Sequence, residues 1–286
     1  HNVGGLVGYA VNSVIGNPSE IDGKPVENVQ VVYNRLDVTG AYNVGGIVGN
    51  MEGSTVQNAE NSGTVLAEKY KTEYYTYHTG NQTYDSYYGT SNDGISGVEV
   101  NIANVGGIVG TSSASNNGKA SKIENVTNTA NVSSDTDTYN QYASENEYYI
   151  AGNVAGIVGR AEDTDISNAT NQENEIRGAH NVGGVAGYFG TSDDNSDNKY
   201  TVTNGINDGG DIMATGARAK QGVNNSNLVN DKGFALEQVR SVSGGSETVI
   251  IGNMGGVVGY LEGDNVYVTG SANRGIVHSQ EITNPN

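Results

Sequence analysis

The chain has 286 residues with 14 Lys+Arg against 32 Asp+Glu, a formal net charge of −18, 42 Gly, 3 Pro, and neither Cys nor Trp. Without Cys there is no disulfide framework, thiolate metal site or cysteine nucleophile, and the acidic balance weighs against nucleic acid, which needs clustered Lys and Arg to displace phosphate counterions. Only 16% of residues are charged, no window approaches the ~18 apolar residues of a membrane helix, and without a G-X-Y period the glycines do not indicate collagen.

A seven-residue phrase dominates the chain. It reads NVGGLVG from Asn2, NVGGIVG from Asn43 and Asn104, NVAGIVG from Asn153, NVGGVAG from Asn181 and NMGGVVG from Asn253. The opening HNVGGLVG returns as HNVGGVAG at His180, which predicts a fragment cut at a repeat boundary, with targeting and anchoring segments outside it. The phrase is near-constant and the spacers are not, so one structural unit carries insertions of differing size. The shortest spacing, Asn153 to His180, shows the unit nearly bare, with further apolar runs around Ile166 and Ile176.

Three short Val/Ile strands per unit, separated by Asn- and Gly-rich corners, predict an all-β parallel solenoid, a β-helix with inserted hairpins and loops and one candidate short helix. Helical repeats would show 3.6-residue apolar stripes, which are missing. A six-bladed propeller is the structural rival, but the shortest unit is too small for a four-stranded blade. In a solenoid the six phrases are expected side by side in one sheet, with the second- and sixth-position Val on one face. The fifth residue then points away unless the strand bends there. The structural positions are Asn43, Gly45, Gly46 and Gly49 in one phrase and Asn104, Gly106, Gly107 and Gly110 in the next. The first-position Asn is either a stacked amide ladder or simply a turn residue.

The core GG[LIV]VG, followed by a polar corner and an Asn-containing strand such as VQNAENSGTV (Val56 to Val65) or ENVTNTANV (Glu124 to Val132), resembles the GLUG motif. That motif recurs in bacterial surface adhesins and in non-catalytic regions of secreted IgA-specific metallopeptidases. The resemblance covers the phrases and parts of their sequels. It implies an extracellular, cell-surface or secreted setting, adhesion to a host extracellular protein or glycan, and packing against neighbouring repeats of the same chain.

The spacers hold the candidate functional parts: roughly 69–101, 133–151 and 191–251. The first two contain 11 of the 18 Tyr. TEYYTYH, TGNQ and TYDSYY predict a hairpin turning at Thr79 to Gln82, with Tyr75, Tyr77, Tyr84 and Tyr87 as candidate ligand contacts or as residues sealing the hairpin against the solenoid. In the third spacer Asp193, Asn195 and Asp197 match the start of a D-x-N-x-D calcium loop, but Asn198 and Asn204 stand where an EF-hand needs Gly and Glu, so a solvated acidic loop is the competing reading. The candidate helix lies around Lys232 to Val239.

Nothing in the sequence indicates catalysis. His1, His78, His180 and His278 form no H-E-x-x-H pattern, no G-x-S-x-G elbow occurs, and the glycine phrases lack the Lys-Ser/Thr of a phosphate loop. The acid pairs Asp135/Asp137 and Asp163/Asp165 are unremarkable among 32 acids. The expectation is a non-enzymatic adhesive and structural segment without a cofactor. The alternatives are a substrate-positioning region of a secreted peptidase and a β-helix polysaccharide lyase or hydrolase.

Overall fold

The computed structural model describes residues 2–18, 20–21, 24–68, 75–79, 82–86, 101–134, 150–178, 180–192, 197–214, 217–219, 239–242, 245–250 and 253–279. Six coils follow one another, each opened by a phrase, and they stack as a parallel β-solenoid. The phrases are register partners from coil to coil: Asn2 with Asn43, then Asn104, Asn153, Asn181 and Asn253. That arrangement excludes separate propeller blades.

Each coil contributes strands to four walls rather than the expected three, the third-wall strand being split in the first coil (Val14–Ile15 and Val32–Asn34) and in the sixth (Val266–Thr269 and Ala272–Asn273). In the second coil they are Asn43–Gly45, Val48–Glu52, Thr55–Asn61 and Val65–Ala67. Stacked through the molecule they form four parallel walls. The phrase does not lie in one sheet. It bends at its fourth and fifth residues, so its first three residues belong to the first wall and its last two to the second.

The bend separates the apolar residues into two columns. The second-position Val44, Val105, Val154 and Val182 pack with Val65, Val132, Ile176 and Ile212 of the fourth wall. Ile47, Val48, Ile108 and Val109, at the fifth and sixth positions, pack with Met51, Val56, Ile123 and Ile166 of the second and third walls. The two Val positions of a phrase therefore face different columns, because a bent strand no longer obeys the two-residue alternation of a straight one. The fifth residue points inward for the same reason.

The phrase is a wedge whose two arms touch. A Cβ on Gly49 would meet the Val3 nitrogen at 2.6 Å and the Gly8 carbonyl oxygen at 2.7 Å; on Gly110 it would meet the Gly49 carbonyl oxygen at 2.4 Å and the Val44 nitrogen at 2.6 Å. The first-wall arm of one coil thus lies against the second-wall arm of the next, with only hydrogens between them. At the wedge tip a Cβ on Gly46 would stand 2.1 Å from the Gly107 oxygen and 2.4 Å from Asn61 Cγ, and on Gly107 it would stand 2.1 Å from the Gly156 oxygen and 2.3 Å from Asn128 Cγ.

Those asparagines form a ladder through the middle of the core. Asn34, Asn61, Asn128, Asn171, Asn207 and Asn273 occupy one column at the end of the third wall, each side-chain amide donating to the next Oδ1 over 2.7–3.1 Å. Asn61, Asn128, Asn171 and Asn207 are fully buried. The same amides close the corner behind them: Asn61 donates to the Gly63 carbonyl and Asn128 to that of Ala130, both at 2.8 Å. Three residues upstream, Asn58, Asn125, Asn168 and Asn204 have φ of 50–55°. This left-handed step, which Asn tolerates better than other side chains, shifts the alternation by one. Val56 and Ala59 consequently both face inward, and Asn61 follows them. An N-x-x-N spacing in the third strand is the outcome.

A second ladder runs along the first-position asparagines. Asn43 donates to Asn2, Asn104 to Asn43, Asn153 to Asn104, Asn181 to Asn153 and Asn253 to Asn181, over 2.8–3.0 Å. The first-position Asn is a ladder residue.

Two outcomes test this core. Replacing Gly46 or Gly107 with Val is expected to cost at least ~1–3 kcal/mol each by overpacking, read as a lowered urea midpoint. A Cβ on Gly106 would stand 1.9 Å from the Val109 oxygen, yet the fourth coil accommodates a buried Ala155 at that phrase position, so Gly106→Ala is expected to cost less than Gly107→Ala; equal losses in these two variants would contradict the special role of the wedge tip. Asn128→Ala removes the partner of both Asn61 and Asn171, and an orphaned buried amide typically costs ~1–3 kcal/mol, so its melt is expected to fall further than that of the exposed Asn125→Ala.

Candidate interaction surface

An interior solenoid coil is most readily lengthened where the chain crosses from one strand to the next, since residues added inside a strand that is paired on both sides would break register with both neighbours. Lengthening a connection costs little, because closure entropy grows only with the logarithm of length. Three insertions, 68–100, 135–149 and 215–252, use the crossing from the fourth wall of one coil to the first wall of the next, while a fourth, 16–31, interrupts the third wall of the first coil between Ile15, opposite Val56, and Val32, opposite Ala59. The first two, which are the Tyr-rich ones, leave and return side by side. Their departure points Ala67 and Ser134 are register partners on adjacent strands, and so are their return points Asn101 and Ile150. There the first wall is lengthened on both coils, with Ile102 opposite Ala151 and Ala103 opposite Gly152 before the phrase begins. Strands on adjacent coils are about 4.8 Å apart, so the two insertions share one edge of the solenoid.

The expected hairpin is present within the first insertion. Tyr75–Thr79 pairs antiparallel with Gln82–Ser86, with Thr79 opposite Gln82, Tyr77 opposite Tyr84 and Tyr75 opposite Ser86. Tyr87 lies outside the described residues. The span from Thr191 to Ile251 is not one insertion: Tyr200–Asp208 and Asp211–Ala214 within it complete the fifth coil. Val239, the last residue of the candidate helix, opens the strand Val239–Val242, and 232–238 lie outside the described residues.

Of the candidate calcium residues, Asp193 and Asn195 lie outside the described residues and Asp197 is exposed. Beside this loop, Asp163 is buried. It accepts hydrogen bonds from Thr191 Oγ1 at 2.9 Å and the Ser192 amide at 3.1 Å, and its second oxygen accepts from the Ser192 hydroxyl. A carboxylate so fully engaged by protein donors acts as the anchor for the loop base. It also helps burial to raise the pKa of Tyr200. Among the described residues no group of three or more His, Asp or Glu could hold a metal ion.

One feature escaped the sequence reading. The outer face of the second wall carries a column formed by Tyr9, Asn50, Thr111, Arg160, Tyr188 and Tyr260, flanked by Glu52, Glu162 and Glu262. The Arg160 guanidinium sits 4.5 Å from the Tyr188 ring centroid and bonds Glu162 at 2.8 Å. Tyr188 stacks on Tyr260 at 5.8 Å and donates its hydroxyl to Glu262 at 2.8 Å. The signal was a Tyr or Arg directly after four of the six phrases, too short a pattern to stand out from the repeat itself. Burial first, then the bond to Glu262, pushes the Tyr188 pKa far above the usual phenol value. Comparison with known proteins gives no match: no family model, curated protein or solved structure is similar to this chain.

Because the unfolded Tyr188 ionises near pH 10 while the folded one resists, its stabilisation is full below that pH and is lost as pH rises above it. Tyr188→Phe is expected to lower stability by about 1–2 kcal/mol at neutral pH through the lost hydrogen bond. It should also flatten the decline between pH 10 and 12, as measured by urea melts across that range.

Proposed function

We propose that this chain is a structural and adhesive segment of a bacterial cell-surface or secreted protein, a solenoid rod that presents Tyr-rich insertions to a host extracellular protein or glycan. The observation that carries the reading is the shared placement of the two Tyr-rich insertions, which leave at partners Ala67 and Ser134 and return at partners Asn101 and Ile150. Two segments anchored at both ends on adjacent strands of a rigid scaffold lose less freedom on binding than free loops. Tyr combines an apolar face with a hydroxyl and suits both sugar stacking and protein contact. The likeness of the phrase to the GLUG motif of surface adhesins supports the same setting. Tyr75, Tyr77, Tyr84 and Tyr87 are the proposed contacts.

The test is a binding screen of the 286-residue chain on a glycan array and a panel of extracellular host proteins, beside a variant lacking Thr72 to Tyr88. Binding by the parent, lost in the deletion while its circular dichroism and melting temperature are kept, is the expected result. Loss of fold in the deletion would make these Tyr packing residues. Undiminished binding would place the contact elsewhere.

A further inference from the structure

The sequence contains two Asn-Gly steps, Asn117–Gly118 and Asn204–Gly205, and the fold treats them in opposite ways. A glycine after asparagine leaves its backbone nitrogen unshielded, because no Cβ stands beside it. That nitrogen can attack the side-chain amide carbon of the preceding Asn. The new N–C bond closes a succinimide ring, the nitrogen gives its proton to solvent base, and the side-chain amide leaves as ammonia after taking a proton. Water then opens the ring at one carbonyl or the other, giving aspartate or isoaspartate. The net change consumes one water and releases one ammonia, with no oxidation or reduction.

At Asn204 both reacting groups are held. Its side-chain amide donates to Asn168 Oδ1 at 3.1 Å, and the Gly205 nitrogen donates to Ser271 Oγ at 3.0 Å. Gly205 is buried, and the strand that carries it is paired on both sides, so closing a ring there would break the third wall. At Asn117 the chain has left the second wall after Ser113 and returns to the third at Ser121. The Ser115 nitrogen donates to the Lys119 carbonyl at 2.9 Å and the Gly118 nitrogen to the Ser115 carbonyl at 2.8 Å. Ser115 is buried against the second coil, where a Cβ on Gly53 would stand 2.6 Å from its own Cβ. Residues 116–119 are exposed, Gly118 has φ of 79°, and no described atom lies within 4 Å of where its Cβ would stand. The turn is thus a fixed base with an open tip. From that base the Ser115 hydroxyl donates to Asn117 Oδ1, the atom on which negative charge gathers as the nitrogen adds to the amide carbon. A donor already aimed at that oxygen stabilises the tetrahedral intermediate. The one contact the reaction must release, from the Gly118 nitrogen to the Ser115 carbonyl, lies at the exposed tip.

We propose that Asn117 is a self-modification site of this chain, converted through a succinimide to aspartate and isoaspartate with the Ser115 hydroxyl assisting, while the third wall protects Asn204. The product replaces a neutral amide with a carboxylate, and isoaspartate also adds a methylene to the backbone. Both changes fall on an exposed turn outside the four walls, so coil register is kept. This does not depend on what the insertions bind.

Incubation of the whole folded chain at neutral and at mildly alkaline pH, followed by peptide mapping with mass spectrometry, tests this, since conversion replaces NH with O at a located residue. Asn117 is expected to convert at least about tenfold faster than Asn204, because the held amide reacts only through local opening of its strand. In urea the two rates should draw together. Conversion should quicken at the higher pH, because the attacking nitrogen must lose its proton. Ser115→Ala is expected to slow Asn117 roughly three- to tenfold in the folded chain and to leave its rate in urea unchanged, whereas Ser115→Thr, which keeps the donor, should retain the parent rate. If Ser115→Ala loses its fold by circular dichroism, the comparison of Asn117 with Asn204 in the parent still decides. An Asn117 that stays intact in the folded chain, or converts no faster than Asn204, overturns the proposal. A folded Ser115→Ala variant that converts as fast as the parent overturns the assisting role of Ser115.

Discussion

The buried asparagine ladder resting on the glycine wedge is the constraint from which the rest of this molecule follows. An amide in an apolar core is costly unless its donors and acceptors are all engaged. Here one column of amides meets that demand by repetition, each coil satisfying the next. The ladder requires the third-wall Asn to reach the centre of the coil, and only a glycine at the phrase tip leaves room for it. A side chain on either partner would push the coils out of register, and because every coil stacks on the last, the error would propagate.

The wedge explains why so glycine-rich a phrase is also so apolar. Its inner arms need hydrogens where they touch, and its outer flanks need branched side chains where they face the two core columns. Gly45, Gly46 and Gly49 and their counterparts Gly106, Gly107 and Gly110 serve contact rather than flexibility. Val44, Ile47 and Val48 then fill opposite sides of one thin partition. A core cut in two by a polar seam is small in cross-section, and it gains stability by length, with each added coil burying the face of its neighbour.

Length and regularity in turn decide where variation is allowed. In the interior coils added residues collect at the crossings, and 68–100, 135–149 and 215–252 share the crossing from fourth wall to first; the first coil, paired on one side only, carries 16–31 within its third wall. The polar column on the second wall, with Arg160 held between Glu162 and Tyr188, stiffens another face by direct coil-to-coil contacts.

The sequence by itself determined the repeat, its boundaries at six phrases, the strand character of the Val/Ile runs and the hairpin at Thr79 to Gln82, because each is a local pattern that backbone sterics and turn chemistry fix over a few residues. It did not determine that the phrase bends, that a coil has four walls, or that Val44 and Val48 face different columns. Those depend on what lies across the core, and the two-residue alternation used to place side chains holds only for a straight strand. Asn61 and Asn58 look alike in the sequence; the fold buries one as a ladder amide and turns the other through a left-handed step. The alignment of the two Tyr-rich insertions was likewise illegible, since Ala67 and Ser134 become neighbours only when the coils stack. Local chemistry wrote the strands and corners, and the long-range packing of one coil on another assigned each repeated residue its side.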